Sequence, residues 1–253
     1  MRKEYENKPV VFVAVNSGNS KGDVEGYAKS TKFEWPILVD ERRETEKALG
    51  TEISLQNIYQ FYVIDPEGKV QGVGSDQKSA MAAVDRNLAN AKMLFDGIAV
   101  PEKLKAAARE IEMGQYDPTV GELATLAQKG PKALQEAAQQ MYGKLKPIAE
   151  GGIERAKAFE ADGKKYAAYV EYSKVAAGFK KTEYEKPANA ALAELKKQKD
   201  VQDELAAKQM LDQAKALLAS GKKADRPAAD GILAVLQKKY PNSEAAKEAA
   251  KLK

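Results

Sequence analysis

The chain has 253 residues, of which 43% are hydrophobic and 31% are charged, a composition typical of globular rather than disordered proteins. Its 41 basic and 37 acidic residues nearly cancel, which gives no case for a nucleic-acid partner. The sequence contains no cysteine and no histidine. The 253 residues therefore offer neither a thiolate for redox chemistry nor an imidazole for general-base catalysis, and we expect no cofactor or metal.

The apolar stretches of the sequence are short. The longest, residues 10–15, is well below the length that spans a bilayer, so we expect no integral membrane segment. The first eight residues are charged and lack the apolar core of a signal peptide. As the chain reads, we expect a cytoplasmic protein. A signal peptide ahead of Met1 would instead indicate an extracytoplasmic or periplasmic one.

The first third of the chain alternates between strand and helix patterns. Residues 9–16 form a continuous β-branched and aromatic run, which predicts a strand covered on both faces, as in a parallel sheet. The other predicted elements are a helix over 21–32 capped by Asn19 or Ser20, a strand over 35–40, a helix over 41–49 ended by Gly50, strands over 58–65 and 69–73 joined by a Pro-Glu-Gly turn, and a helix over 77–95. This alternation predicts an α/β layer fold.

Two stretches of this region carry a family resemblance. Residues 35–40 (Trp-Pro-Ile-Leu-Val-Asp), with Leu49-Gly50 at the next helix end, are similar to a segment of thioredoxin-like proteins of the redoxin, AhpC/TSA and TlpA type. Residues 62–70 (Tyr-Val-Ile-Asp-Pro-Glu-Gly-Lys-Val) resemble the Phe-Val-Ile-Asp-Pro-x-Gly hairpin of that family. The resemblance implies that residues 1–96 form a thioredoxin-like α/β domain.

The region also departs from that family. The resemblance implies a Cys-x-x-Cys ahead of a helix that ends near Asn7, and so upstream of Met1. It also implies a cis-proline where this chain has Asn-Ile-Tyr-Gln at residues 57–60.

The resemblance also implies that a central strand of the family's sheet is missing from this chain. Its loss would expose apolar side chains that each contribute about 1.5–3 kcal/mol when buried, in a domain of about 5–15 kcal/mol net stability. We therefore expect this incomplete domain to be unstable alone, so that the protein begins earlier, or a partner or a rearranged sheet fills the gap.

Residues 101–253 have a helical pattern throughout, and we expect an all-α helical-repeat domain. Three units of helix, Gly turn, helix, break and Ala-rich helix are centred on Gly114, Gly163 and Gly221. The first unit has predicted helices within 107–113, from there up to residue 126, and over 131–145. The second has them within 156–162, from there up to residue 179, and over 187–197. The third has them within 214–220, 228–240 and 241–252. Helix, Gly-x-Tyr and helix together resemble the tetratricopeptide family, although Tyr169 stands where that pattern usually has alanine. The resemblance implies stacked helical pairs that present a concave surface to a protein or peptide partner.

The candidate partner-binding residues are Tyr166, Tyr169 and Tyr172, which recur every third residue and lie near one helix face. Such a stripe indicates either a core or groove-lining set of aromatic side chains or, because tyrosine is favoured in interfaces, a peptide-binding face.

Other polar motifs have structural interpretations beside functional ones. The loop at residues 16–23 follows a strand and opens a helix, where backbone amides bind anions, but it matches no phosphate-binding motif and is typical of a plain strand–helix loop. The carboxylates Asp40, Glu41, Asp65 and Glu67 stand at a helix start and a β-turn, where acidic residues serve local structure. We therefore assign no catalytic residue.

The sequence supports three functional hypotheses, one of which treats the helical region as an envelope scaffold unrelated to redox chemistry; the other two concern the whole chain. The first is a non-catalytic protein of thioredoxin-like fold whose helical-repeat domain binds other proteins. The alternative is an N-terminally truncated thiol–disulfide oxidoreductase or peroxiredoxin-like protein whose redox cysteines lie upstream of Met1.

Overall fold

The computed structural model describes residues 2–5, 8–41, 43–54, 56–220 and 222–252, without the side chains of Arg2, Lys3, Val73 and Ala219. The predicted helix end at Asn7 and the predicted turn at Gly221 lie outside these residues. Of the residues that the structure describes, 63% are helical, and the two sheets that they form are small. The chain divides into two units, Met1–Met93 and Leu94–Lys253, which are described separately.

The first unit contains two separate two-stranded sheets within its described residues. Strand β1 (Ala14–Ser17) pairs in parallel with β2 (Ile37–Asp40), and β3 (Phe61–Ile64) pairs antiparallel with β4 (Val70–Gly74). The helices of this unit are α1 (Lys21–Thr31), α2 (Glu44–Leu49) and α3 (Gln77–Leu88). The predicted types and order of the elements are confirmed, while most of the predicted strands are longer than those observed because only these short segments find a pairing partner.

The prediction that residues 9–16 form a strand covered on both faces is wrong. Only the last part of this run is paired, and Val11, Val13 and Val15 are between 39% and 48% exposed. Val10 and Phe12, which alternate with these valines, pack into the core of this unit. The buried members of that core are Tyr5, Val63, Ala83 and Val84. The run therefore alternates as a one-sided strand does, because no described layer covers its second face.

Local signals in the first unit act as expected. Ser20, one of the two predicted caps, accepts a hydrogen bond from the Asp23 backbone N–H through its side chain and begins α1. Gly50 ends α2 with a φ of 63°, a left-handed conformation that favours glycine. Asp65 accepts hydrogen bonds from the Glu67 and Lys69 backbone N–H groups and fixes the turn between β3 and β4.

The second unit is helical. Its helices are α4 (Lys105–Glu112), α5 (Thr119–Lys129), α6 (Lys132–Ala161), α7 (Lys165–Gly178), α8 (Glu185–Leu195), α9 (Lys199–Ala219), α10 (Asp225–Lys239) and α11 (Glu244–Ala249). The predicted glycine turns are confirmed at Gly114 and Gly163, which follow α4 and α6 with φ of 77° and 74°. No helix among the described residues is long and apolar enough to cross a membrane.

One helix corrects the predicted repeat. The sequence predicts separate helices over 131–145 and 156–162, but these form the single 30-residue helix α6, which contains Pro147. Its buried residues, Ala138, Met141, Tyr142, Leu145, Ala149, Gly152 and Ala156, recur at helical spacing along the whole length. This uninterrupted apolar stripe outweighs the local helix-breaking tendency of the proline.

Helices that follow one another along the chain pack together in this unit, as α5 does with α6, α6 with α7, α7 with α8 and α9 with α10. One hydrophobic cluster is formed mainly by α4 to α8, and a second by α9, α10 and α11. Such consecutive packing produces grooves between neighbouring helices, and one of them holds the candidate site.

Candidate functional site

A cleft of about 460 Å³ lies in the helical unit, between the loop after α4, the middle of α6 and the second half of α7. Its floor is apolar and is formed by Tyr116, Ile148, Val175 and Phe179. The volume falls within the range of about 300–1,000 Å³ that is usual for ligand pockets. An apolar floor with a few polar groups at its rim is the usual make-up of a binding site.

Glycines bring the walls of the cleft together. Gly114 turns the chain after α4, and Tyr116 then lies against Phe179 with 5.7 Å between the ring centroids. A β-carbon at Gly178 would lie 3.1 Å from Tyr116 Cδ2, so the tyrosine ring rests on bare α7 backbone. The cleft therefore depends on the absence of a side chain at this position of α7.

A charged cluster lines one rim of the cleft. Glu171 accepts hydrogen bonds from Arg155 Nε at 3.0 Å and from Lys174 Nζ at 2.5 Å. Its side chain is 11% exposed, whereas those of Arg155 and Lys174 are 62% and 66% exposed. The hydrogen bond from Lys174 is the main reason that the pKa of Glu171 lies below its usual value; burial opposes this and Arg155 reinforces it. Two cations therefore share one carboxylate.

A second ion pair joins the loop after α4 to the end of α7. Lys180 Nζ donates to Asp117 Oδ2 at 2.5 Å, and Asp117 also lines the cleft. This pair is internally balanced, so the surplus positive charge at the cleft belongs to Arg155 and Lys174. An anionic ligand would meet a favourable potential there.

The three sequence-predicted tyrosines lie outside this cleft. Tyr172 is buried, and its hydroxyl donates to Glu160 at 2.9 Å. Burial, followed by that hydrogen bond, raises the pKa of Tyr172 to about 12. Tyr166 and Tyr169 are half-buried and stack with their ring centroids 6.4 Å apart. The structure thus brings Tyr166 and Tyr169 together and places Tyr172 in the core.

Tyr166 lies on the side of α7 that is near α9. Burial raises the pKa of its hydroxyl, and the negative charges of Glu204 and Asp212 on α9 raise it further. Its environment is therefore a seam between two helices of this chain.

Sequence reasoning missed Arg155, Glu171 and Lys174. Glu171 and Lys174 stand three residues apart, which from sequence alone is typical of a solvent-exposed pair on a helix face. Arg155 is on another helix, and nothing in its local sequence indicates that it meets them. Only the packing of α6 against α7 brings the three together.

The other sequence candidates have structural partners. At the loop of residues 16–23, Glu41 Oε1 accepts a hydrogen bond from the Lys21 backbone N–H at 2.7 Å, so the chain's own carboxylate occupies the start of α1. The buried Asp40 accepts from the Glu44 and Thr45 N–H groups at 2.8 and 2.7 Å and caps α2. Among the described residues, no three carboxylate, thiol or imidazole side chains form a group that could hold a metal ion.

Comparison of this chain with protein-family models, with curated proteins and with solved structures found no match. The resemblances to thioredoxin-like and tetratricopeptide proteins therefore stay predictions.

Proposed function

We propose that this protein is a non-catalytic interaction protein whose helical unit binds a segment of a protein partner. The observation that carries the proposal is the cleft beside α7, which combines an apolar floor with a charged rim. Tyrosine and arginine are enriched where proteins meet, and both lie in this cleft, as Tyr116 and Arg155. The thioredoxin-like first unit and the repeat character of the helices are parts of the same proposal.

The non-catalytic part is supported by residue chemistry. The sequence has no cysteine to exchange a disulfide or attack a peroxide. Incubating the full chain with insulin and a dithiol, or with hydrogen peroxide and a reductant, should give no turnover above the reaction without protein. Catalysed reduction of either substrate would overturn this part of the proposal.

The binding part is tested by filling the cleft. Ala177 is an exposed residue of α7 that lines the cleft, so Ala177→Trp should occupy its volume. Ala161, the exposed last residue of α6, lies outside the cleft, and Ala161→Trp provides a matched control. Peptides selected from a displayed random library on the full chain should keep binding to Ala161→Trp and lose binding to Ala177→Trp. Selection of no peptide, or equal binding to both variants, would contradict a partner site in this cleft.

A second candidate function is thiol–disulfide exchange by a longer form of the protein. The observation that favours it is the exposed row of Val11, Val13 and Val15, since a further layer packed on this face would cover such a row. Reading the genomic DNA ahead of the Met1 codon tests it. An in-frame Cys-x-x-Cys would favour the redox function, and its absence would exclude this route to it.

A further inference from the structure

The guanidinium of Arg155 is only partly used. Its Nε donates to Glu171, while its two terminal nitrogens donate to no hydrogen-bond acceptor among the described residues. Arginine binds carboxylates through two parallel N–H···O bonds from its nitrogens; the two terminal nitrogens of Arg155 are called the fork below. Because Glu171 holds the Nε, the fork is oriented while its other donors remain open.

The open fork lies close to the apolar floor. The position of a β-carbon on Gly152 would be 2.7 Å from Val175 Cγ2 and 3.8 Å from Arg155 Nη2. The cation and the apolar surface therefore both lie within the reach of one bound amino-acid residue. Tyr116 and Phe179 extend that surface with two aromatic rings.

Resting on the proposed function, we propose that the cleft binds the C-terminal residue of a partner polypeptide that ends in an apolar side chain. The α-carboxylate of that residue pairs with Arg155 and Lys174, and its side chain lies against Tyr116, Val175 and Phe179. A C-terminal residue carries the carboxylate and the apolar group together. An internal acidic residue carries no comparable apolar group, so it would need a second residue to supply one.

Charge complementarity supports this occupant. Glu171 is shared between Arg155 and Lys174, and one further carboxylate would balance the cluster. Glu171 is a positioning residue here, because it orients Arg155 and remains in place when the ligand binds. The rim is exposed, so binding should weaken as salt concentration rises.

The test uses the full chain and fluorescence polarisation of N-terminally labelled peptides. The first probe is Gly-Ser-Gly-Ser-Phe with a free carboxylate, and the second is the same peptide as its C-terminal amide. The free acid should bind about tenfold or more tightly than the amide, because the amide lacks the charge that pairs with the fork. Equal binding of the two probes would overturn the proposal.

Two charge variants connect the preference to the site. Arg155→Gln should weaken binding of the free acid by about tenfold and remove its preference over the amide. Lys157→Gln removes the same charge at an exposed position of α6 outside the cleft. It should leave unchanged the affinity for the free acid and the preference for the free acid over the amide. Circular dichroism and urea denaturation confirm that both variants fold. An unchanged affinity of Arg155→Gln would overturn the assignment of the carboxylate to Arg155.

A third probe, the amide of Gly-Ser-Glu-Phe-Gly-Ser, presents an internal acidic residue beside phenylalanine. If it binds as tightly as the free acid, the C-terminal occupant is wrong. If none of the three probes binds while library peptides still distinguish Ala177→Trp from Ala161→Trp, the further inference fails and the proposed function stands. If the library also yields no cleft-dependent peptide, both fail.

Discussion

Gly152 of α6 packs so closely against Val175 of α7 that a β-carbon at position 152 would lie 2.7 Å from Val175 Cγ2. Real β-carbons essentially never approach a neighbouring atom to within 3.0 Å. The contact between the two helices, and with it the floor of the cleft, therefore requires that residue 152 has no side chain.

The neighbouring glycines of α6 provide a matched pair of variants. Gly152→Ala should lower the free energy of unfolding by about 1–3 kcal/mol, because the methyl group forces α6 and α7 apart. Gly151→Ala should raise it by about 0.5–1 kcal/mol, because its β-carbon would meet only Arg155 Nη1 at 3.5 Å and alanine favours the helix. Urea denaturation of both variants measures the difference. Equal stabilities would contradict the close contact.

Glu171 should make the helical unit sensitive to acid. Since the hydrogen bond from Lys174 lowers its pKa in the folded state, its stabilising contribution is complete above the unfolded pKa of about 4.3. The contribution is lost as the pH falls through the lower folded pKa. Glu171→Gln should lower the free energy of unfolding by about 1 kcal/mol at pH 7, a small amount because both cationic partners are exposed. Below the folded pKa of Glu171 the substitution should leave the free energy of unfolding unchanged. Urea denaturation from pH 7 to pH 3 checks this convergence; a difference that persists at pH 3 would contradict it.

Glu204 of α9 should stabilise the start of α11. Its buried carboxylate accepts hydrogen bonds from the Glu244 and Ala245 backbone N–H groups, both at 3.0 Å. Glu204→Gln should lower the free energy of unfolding by about 1–3 kcal/mol and speed hydrogen exchange of these two amides. The control is Asp203→Asn, which breaks an exposed pair with Lys199 and should change stability by less than about 0.5 kcal/mol. Unaltered exchange in Glu204→Gln would argue against the cap.

The exposed valines of the first unit should promote self-association without contributing to its core. Val13→Thr should leave the melting temperature unchanged and reduce light scattering at high protein concentration, because Val13 is 48% exposed. Phe12→Ala should lower the free energy of unfolding by about 1.5–3 kcal/mol, because Phe12 packs against Tyr5 and Trp35. Destabilisation by Val13→Thr comparable to that by Phe12→Ala would show that the valine face is covered.

Trp35 allows the first unit to be observed within the full chain. It is the only tryptophan of the sequence, and its ring centroid lies 5.5 Å from that of Phe12. The helical signal of circular dichroism comes mainly from the second unit. Because the first unit leaves apolar side chains exposed, its fluorescence transition should occur at a lower urea concentration than the loss of helicity. Coincident transitions would refute the expected instability of this unit.

Element types and many boundaries could be predicted because they depend on residues close together in the chain. Ser20 caps α1 through a hydrogen bond to Asp23, and Gly114 ends its helix through its own backbone conformation. The prediction of separate helices over 131–145 and 156–162 was wrong because it depended on local sequence alone. Burial along the whole of α6, including the turns around Pro147, depends on the elements that pack against the helix.

The candidate site could be predicted only in part. The spacing of Tyr166, Tyr169 and Tyr172 indicates an aromatic stripe, and burial then separates Tyr172 from the other two. The cleft was not predictable, because Arg155 and Glu171 belong to different helices whose relative rotation is set by contacts such as that between Gly152 and Val175.

The sequence by itself determined the order of strands and helices along the chain. It also determined the chemistry available to these 253 residues, which excludes thiol and imidazole reactions. Only the tertiary structure decided that the valine row is exposed and that a cation with open donors lies beside an apolar floor. Side-chain type and local spacing are properties of the chain, but exposure and pairing depend on which distant segments pack against each residue.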